Sequence, residues 1–130
     1  MKPIRSLQVL ILVLTTLVSC TKNNDILKEN SIIGTWQLVE RFDGGSPNPI
    51  QTIENGEIIV FNADFSYSNN SYDCDGSFTV NNSFVYISMP CVSVENLTYS
   101  FSFENSNLLL TNVPSTCDEG CYDKYKKITY

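Results

Sequence analysis

Five cysteines are the residues of this sequence best suited to covalent chemistry, and the chain contains no histidine. The usual general base, the Ser-His triad and the commonest metal ligand are therefore missing. Four of the cysteines belong to the second half of the chain: Cys74, Cys91, Cys117 and Cys121. An even number in an exported chain predicts two disulfides, with a zinc site as the alternative. No C-x-x-C pair is present, which favours disulfides, and we expect no metal and no cofactor.

A predicted hairpin indicates which cysteines pair. Asn81-Asn82 is typical of a two-residue turn, because asparagine tolerates a positive φ. Counting back from that turn places Cys74 opposite Met89, so Cys91 lies close by. We expect Cys74 to pair with Cys91 and the last two cysteines to pair with each other. Crossed pairing stays open, since all four lie at one end of the fold predicted below.

Carboxylates are the other candidates for chemistry. Asp73-Cys74-Asp75-Gly76 is similar to the start of a calcium loop, but the remaining ligand spacing is absent and turn chemistry is the simpler interpretation. The other acidic residues are scattered along the chain, and no pair of them stands out as an acid and a base. We therefore predict no catalytic residue and no enzyme.

Residues 1–19 have the pattern of an export signal. Lys2 and Arg5 give a positive start, and the apolar run from Leu7 to Val18 is too short to span a bilayer. The ending Leu17-Val18-Ser19-Cys20 resembles the lipobox of bacterial lipoproteins. The resemblance implies cleavage before Cys20, with acyl chains on its thiol and new amino group that form a stable membrane anchor. An ordinary signal with a chance cysteine is the alternative.

The residue after Cys20 bears on location. Many bacteria retain lipoproteins in the inner membrane through an aspartate at this point, and here it is Thr21. The resemblance therefore implies the bacterial outer membrane, on its periplasmic or cell-surface side.

The chain after residue 19 is strongly acidic. It carries six basic and fourteen acidic residues, a net charge of −8, and Arg41 is the only basic residue between Ile32 and Asp123. Such a surface repels phosphates, so no nucleic-acid partner is expected.

Residues 20–31 are mostly polar after the cysteine, which predicts a flexible tether. Residues 32–130 have a length typical of one domain. Within that domain, alternating apolar residues and turn signals predict eight strands and no helix. The predicted strands are Thr35–Phe42, Glu57–Phe61, Phe65–Ser68, Gly76–Val80, Ser83–Ser88, Leu97–Glu104, Leu108–Thr111 and Cys121–Thr129.

The lengths of the loops between these strands alternate between long and short. In a meander, alternate loops lie at opposite ends, so every long loop gathers at one end and every tight turn at the other. This regularity favours an all-β, eight-stranded, up-and-down antiparallel barrel over a sandwich. The end with the long loops is called the mouth here, and the end with the tight turns the closed end.

Gly34 and Trp36 start the first strand on one face, where the glycine lets another chain segment approach and the tryptophan can plug a small core. Together with the eight-strand meander and the long first loop, this pattern resembles a small bacterial lipocalin-like domain over Ile32–Tyr130. The resemblance implies a barrel closed at the tryptophan end and a ligand-binding mouth at the other. It also implies a basic residue of the last strand over the tryptophan, for which Lys124, Lys126 and Lys127 are the candidates.

Alternation predicts which side chains face inward, and they either pack the interior or line a ligand cavity. In a cavity, we expect Tyr67, Tyr99, Phe65 and Phe101 to contact the ligand, with the tyrosine hydroxyls as polar partners. The full inward set is Trp36, Leu38, Phe65, Tyr67, Phe78, Val80, Val85, Ile87, Tyr99, Phe101 and Phe103.

The function predicted from these features is non-catalytic binding of a small apolar ligand by a membrane-anchored lipocalin-like lipoprotein. The alternative is a protein-interaction module with a filled barrel, acting as an inhibitor or an envelope assembly component. The four mouth loops contain acidic and no basic residues, so we expect neutral or cationic apolar ligands to be preferred over anionic ones. These loops are Asp43–Gly56, Asn69–Asp75, Met89–Asn96 and Asn112–Gly120.

The anchor is tested by the mass of the mature chain. We expect the wild-type protein to partition into detergent and to carry the mass of acyl chains on Cys20, and Cys20→Ala to accumulate as an unlipidated precursor. An unmodified Cys20 in the mature wild-type protein would contradict the lipoprotein interpretation.

Overall fold

Nine β-strands form the regular structure in the computed structural model, which describes residues 31–45, 47, 49–93 and 96–129. The signal, Cys20 and all of the tether except residue 31 lie outside the described residues. The described residues include no helix long and apolar enough to cross a membrane. The strands are β1 (Gly34–Phe42), β2 (Ile50–Thr52), β3 (Ile58–Phe61), β4 (Ser66–Asn69), β5 (Asp75–Asn81), β6 (Phe84–Ser88), β7 (Asn96–Glu104), β8 (Asn107–Asn112) and β9 (Tyr122–Ile128).

Consecutive strands from β3 to β9 pair antiparallel with each other. β1 pairs with both β3 and β9, which closes the sheet into an eight-stranded barrel. The predicted fold class is thus confirmed. Closure removes the free sheet edges that would otherwise invite pairing with other chains. The connections at the closed end are tight turns, and the long ones all lie at the mouth.

The short strand β2 was not predicted, because its three residues lie between Pro49 and Ile53 in a loop rich in glycine and proline. It extends the sheet beyond β3, pairing with β1 from Glu40 to Phe42. The first long loop is therefore fixed along the mouth instead of lying free.

An irregularity in β1 changes which of its side chains face inward. Pairing with β9 runs regularly from Thr35 to Leu38, shifts between Leu38 and Glu40, and continues to Phe42. This shift is a β-bulge, in which one extra residue reverses the alternation that follows. Trp36 and Leu38 face the interior before the bulge, and Arg41 faces it afterwards.

The core lies toward the closed end, around Trp36, whose side chain is fully buried. The indole Nε1 donates to the carbonyl oxygen of Ile32 at 2.8 Å, and the Lys127 ammonium lies 5.0 Å from the ring centroid, within cation–π range. Lys127 is therefore the basic residue that covers the tryptophan. Gly34 makes room for it, because a Cβ there would lie 2.6 Å from Lys127 Cε, and its φ of 144° also favours glycine.

Most of the predicted inward residues pack in or against this core, including Tyr99, Phe101 and Phe103 at its margin. The inward prediction is wrong for Phe65, which is 59% exposed. Val80 pairs with the buried Val85 and so shares its inward face, but it is 42% exposed. Phe65 has a φ of 66° and ends the β3–β4 turn, so it does not take part in the strand alternation. The last residue of β5 that pairs with β4 is Ser77. Val80 lies three residues further along β5, beyond the part of the strand that β4 covers. The buried core also includes residues outside the predicted set: Ile32, Ile59, Phe61, Met89, Leu108, Leu110 and Tyr125.

The two disulfides join the predicted partners. Cys74 pairs with Cys91, their Cα atoms 6.2 Å apart, and Cys117 pairs with Cys121, at 6.0 Å. The β5–β6 turn lies one residue later than predicted, since Asn81 pairs with Phe84. Continuing that register beyond the strands brings positions 74 and 91 directly opposite each other, which explains the first bridge.

We expect Trp36→Ala to lower the free energy of unfolding by about 3–5 kcal/mol, because the change removes the largest buried side chain and leaves a cavity. Tyr86→Ala, on the exposed outer wall, is the matched aromatic control and should change it by about 0.5 kcal/mol or less. Urea unfolding of the three proteins measures both effects. Equal effects of the two substitutions would show that Trp36 does not hold the closed end together.

Candidate functional site

A cavity of about 270 Å³ occupies the mouth half of the barrel interior. It opens between the long loops, and a second depression of about 160 Å³ shares part of its lining and extends it toward the β8–β9 loop. The main cavity is lined by Arg41, Glu57, Ile59, Tyr67, Asn69, Tyr72, Ile87, Met89, Leu97, Tyr99, Leu110, Asn112, Asp123 and Tyr125.

An ion pair lies on the wall where β1 meets β9. The Arg41 guanidinium binds the Asp123 carboxylate through two hydrogen bonds, Nε to Oδ1 at 2.7 Å and Nη2 to Oδ2 at 3.0 Å. The two residues are direct register partners after the bulge, so the bulge brings this pair into the interior. The hydrogen bond to Asp123 raises the pKa of Arg41 above its usual value, so the arginine stays charged and its charge is matched by the aspartate.

Glu57 is the second charged group on the cavity wall, one residue before β3. Its Oε1 accepts from the Tyr125 hydroxyl at 2.7 Å, and its Oε2 accepts from Asn69 Nδ2 at 3.0 Å and from Ser71 Oγ at 3.3 Å. All three donors are neutral, and within the described part of the chain no cation forms a salt bridge with this carboxylate. Glu57 is thus held in place by hydrogen bonds while its negative charge is left uncompensated.

Three tyrosines of the cavity are kept in the neutral form. Burial raises the pKa of Tyr99 to about 12. Burial also raises the pKa of Tyr67 and of Tyr125, and the nearby Glu57 carboxylate adds to the effect at both. At neutral pH these side chains therefore present uncharged hydroxyls and aromatic ring faces.

The cavity carries a net negative charge, since the charge of Arg41 is matched by Asp123 and that of Glu57 is not. The loops around it add to this field. Their described acidic residues are Asp43, Glu54, Asp73, Asp75, Asp118 and Glu119, and the loop sequences contain no basic residue. Such a site attracts cations and repels anions.

Of the four predicted ligand contacts, the structure brings Tyr67 and Tyr99 together on the cavity wall. Phe101 packs deeper, against Phe103 with ring centroids 6.0 Å apart, and does not line the cavity. Phe65 lies outside it, at the closed end.

Sequence reasoning missed the charged members of the site. Glu57 has the same parity as Ile59 and Phe61, so alternation could have placed it inside. No comparable signal existed for Arg41, whose inward position depends on the bulge. Among the described residues, no three His, Cys, Asp or Glu side chains gather as a metal site would require.

An eight-stranded meander barrel with a closed floor and an open, lined mouth belongs to the class of small β-barrels that hold one ligand inside. The family model of the lipocalin-like domain matches residues 32–130, and the chain belongs to this family. No curated protein and no solved structure was found to match the chain. The lipocalin-like barrel fits a ligand-binding role, and the family is generally non-catalytic.

The raised tyrosine pKa values predict the response of the protein to alkali. In the unfolded chain tyrosine ionises near pH 10, so above that pH the unfolded state binds fewer protons than the folded state. The free energy of unfolding should therefore be fully retained below pH 10 and fall as the pH rises from 10 through 12. Tyr99→Phe should reduce this slope, and Tyr86→Phe on the outer wall serves as control. Urea unfolding measured across this pH range would contradict the assignment if both variants kept the wild-type slope.

Proposed function

We propose that the chain is a lipoprotein, anchored to the bacterial outer membrane through Cys20, whose barrel binds a small ligand in the mouth cavity without catalysis. The observation that carries the proposal is the cavity itself, which a filled barrel acting only through its surface would not need. Its volume of about 270 Å³ lies just below the usual range of ligand pockets, about 300–1,000 Å³. The ligand is therefore compact.

The residues that line the cavity indicate which chemical groups such a ligand carries. Polar groups make up most of the surface that the cavity exposes, and Ile59, Ile87, Met89, Leu97 and Leu110 supply the smaller apolar part, to which the tyrosine rings add flat aromatic faces. Burial against this part of the wall favours an apolar or aromatic body.

The polar part of the ligand is selected by Glu57. A carboxylate without a cationic partner attracts an ammonium or a hydrogen-bond donor and disfavours another carboxylate. The neutral tyrosines around it offer ring faces to the same cation. The proposed ligand class is a compact apolar molecule with a cationic or neutral hydrogen-bonding head.

Matched fluorescent probes test this proposal. A cationic, a neutral and an anionic probe that share one aromatic body are titrated into the wild-type protein, Glu57→Gln and Glu54→Gln. A hydrogen bond to a charged group contributes about 1.5–3 kcal/mol, so we expect Glu57→Gln to weaken the cationic probe by about tenfold or more and to leave the neutral probe nearly unchanged. Glu54, an exposed residue of the first loop, is the control for loss of negative charge outside the cavity.

The outcomes separate the alternatives. Tighter binding of the anionic probe would contradict the charge argument. An equal loss of affinity for the cationic probe in the two variants would show that the preference for cations comes from the acidic residues of the mouth in general and not from Glu57. No saturable binding of any probe would contradict ligand binding and favour a protein partner.

A further inference from the structure

The closed end of the barrel presents apolar side chains to solvent. Phe65, at the end of the β3–β4 turn, is 59% exposed, and Val80 and Phe84, beside the β5–β6 turn, are 42% and 39% exposed. The β3–β4 turn packs against β5, the strand that leads into the β5–β6 turn, since the Phe78 amide donates to the carbonyl oxygen of Phe65 and the two phenyl rings are 5.8 Å apart. Single exposed apolar residues are ordinary, but a group at one end of the barrel is a candidate contact surface. Phe65, Val80 and Phe84 are called the apolar tip below.

Charge is distributed unequally between the two ends of the barrel. Acidic residues are concentrated in the loops of the mouth, whereas the three tight turns of the closed end contain only Asp64, with Glu104 at the end of β7 directly before the third turn. Lys126 pairs with Asn107, directly after the β7–β8 turn, and Lys127 lies over Trp36. The closed end is therefore the less acidic end, and it also carries Lys126 and Lys127 on β9.

The mouth also has exposed apolar residues, which are Ile50, Tyr72 and Val113. These lie among the carboxylates of the long loops, where an anionic lipid surface would be repelled. Exposed apolar residues occur at both ends, so their exposure alone does not indicate which end contacts a membrane. Only at the closed end do they occur away from a concentration of carboxylates.

The tether joins the barrel at this same end. Gly34, the first residue of β1, pairs with Phe61, the last residue of β3, directly before the turn that holds Phe65. The ten residues from Thr21 to Asn30 reach at most about 33 Å. A lipid on Cys20 would therefore keep the closed end close to the bilayer and raise its local concentration there.

We propose that the closed end docks on the membrane surface, with the apolar tip in the interfacial layer and the mouth directed away from the bilayer. This inference rests on the lipid anchor of the proposed function, but not on any ligand. Aromatic side chains favour the membrane interface, and lysines at the same end of the barrel are attracted to anionic headgroups. Docking would keep the acidic mouth open to the surrounding solution.

Tryptophan probes at the two ends test the orientation. Phe65→Trp and Ile50→Trp are prepared as the full lipidated chain in vesicles of phosphatidylethanolamine and phosphatidylglycerol, with or without bromine on the acyl chains. The two positions are matched, since Ile50 is 55% exposed and lies at the mouth. Trp36 is fully buried, so the wild-type chain gives the background emission. Phe84→Trp is a second probe of the apolar tip.

In vesicles without bromine we expect the emission of Phe65→Trp and Phe84→Trp to be blue-shifted, and brominated lipid should quench it, whereas the quenching of Ile50→Trp should not exceed that of the wild-type chain. Quenching of Ile50→Trp alone, equal quenching at both ends, or no quenching at either end would overturn the proposal. The mass of Cys20 in the same samples reports the anchor separately, and an unmodified Cys20 would remove the basis of the proposed orientation. Loss of probe binding in the mouth would bear only on the ligand.

Discussion

The pairing of β1 with β9 is the interaction on which the rest of the structure depends. It closes the sheet, places Lys127 over Trp36 at one end and joins Arg41 to Asp123 at the other. The bulge between Leu38 and Glu40 lets one strand serve both ends. Regular alternation would have turned Glu40 inward, whereas the bulge directs it to the outer wall beside Lys124 and turns Arg41 into the mouth.

The interior is consequently divided into two parts. Toward the closed end, Trp36, Phe61 and Phe78 are fully buried and supply the apolar burial that stabilises a small barrel. Toward the mouth, space is left between polar side chains whose hydrogen bonds are satisfied within the wall. Partial desolvation of Glu57 and of the Arg41–Asp123 pair costs free energy. These charged groups therefore stabilise the fold less than apolar packing at the same positions would. Their positions fit the proposed binding of a ligand better than a role in stabilising the fold.

Much of the fold could be predicted from the sequence, because alternation along strands such as Leu97–Glu104 and asparagine-rich turns are local signals. The errors have physical causes. Phe65 is apolar and precedes a strand, but the turn holds it in a left-handed conformation that alternation does not anticipate. Arg41 was not expected in the site because a bulge depends on the partner strand and leaves no mark in composition. Tyr67 and Tyr99 line the cavity, and alternation could indicate this because no irregularity separates them from their buried neighbours.

The central claim is that the open half of the barrel is a binding site selected for its charge. The most direct measurement is a crystal structure of the protein with a compact aromatic ammonium probe. The account predicts density for the probe inside the mouth, its ring beside Tyr67 or Tyr99 and its nitrogen within about 4 Å of the Glu57 carboxylate, the distance of an ion pair. Density for the probe only on the outer wall, or a mouth filled by the side chains of its own loops, would contradict it.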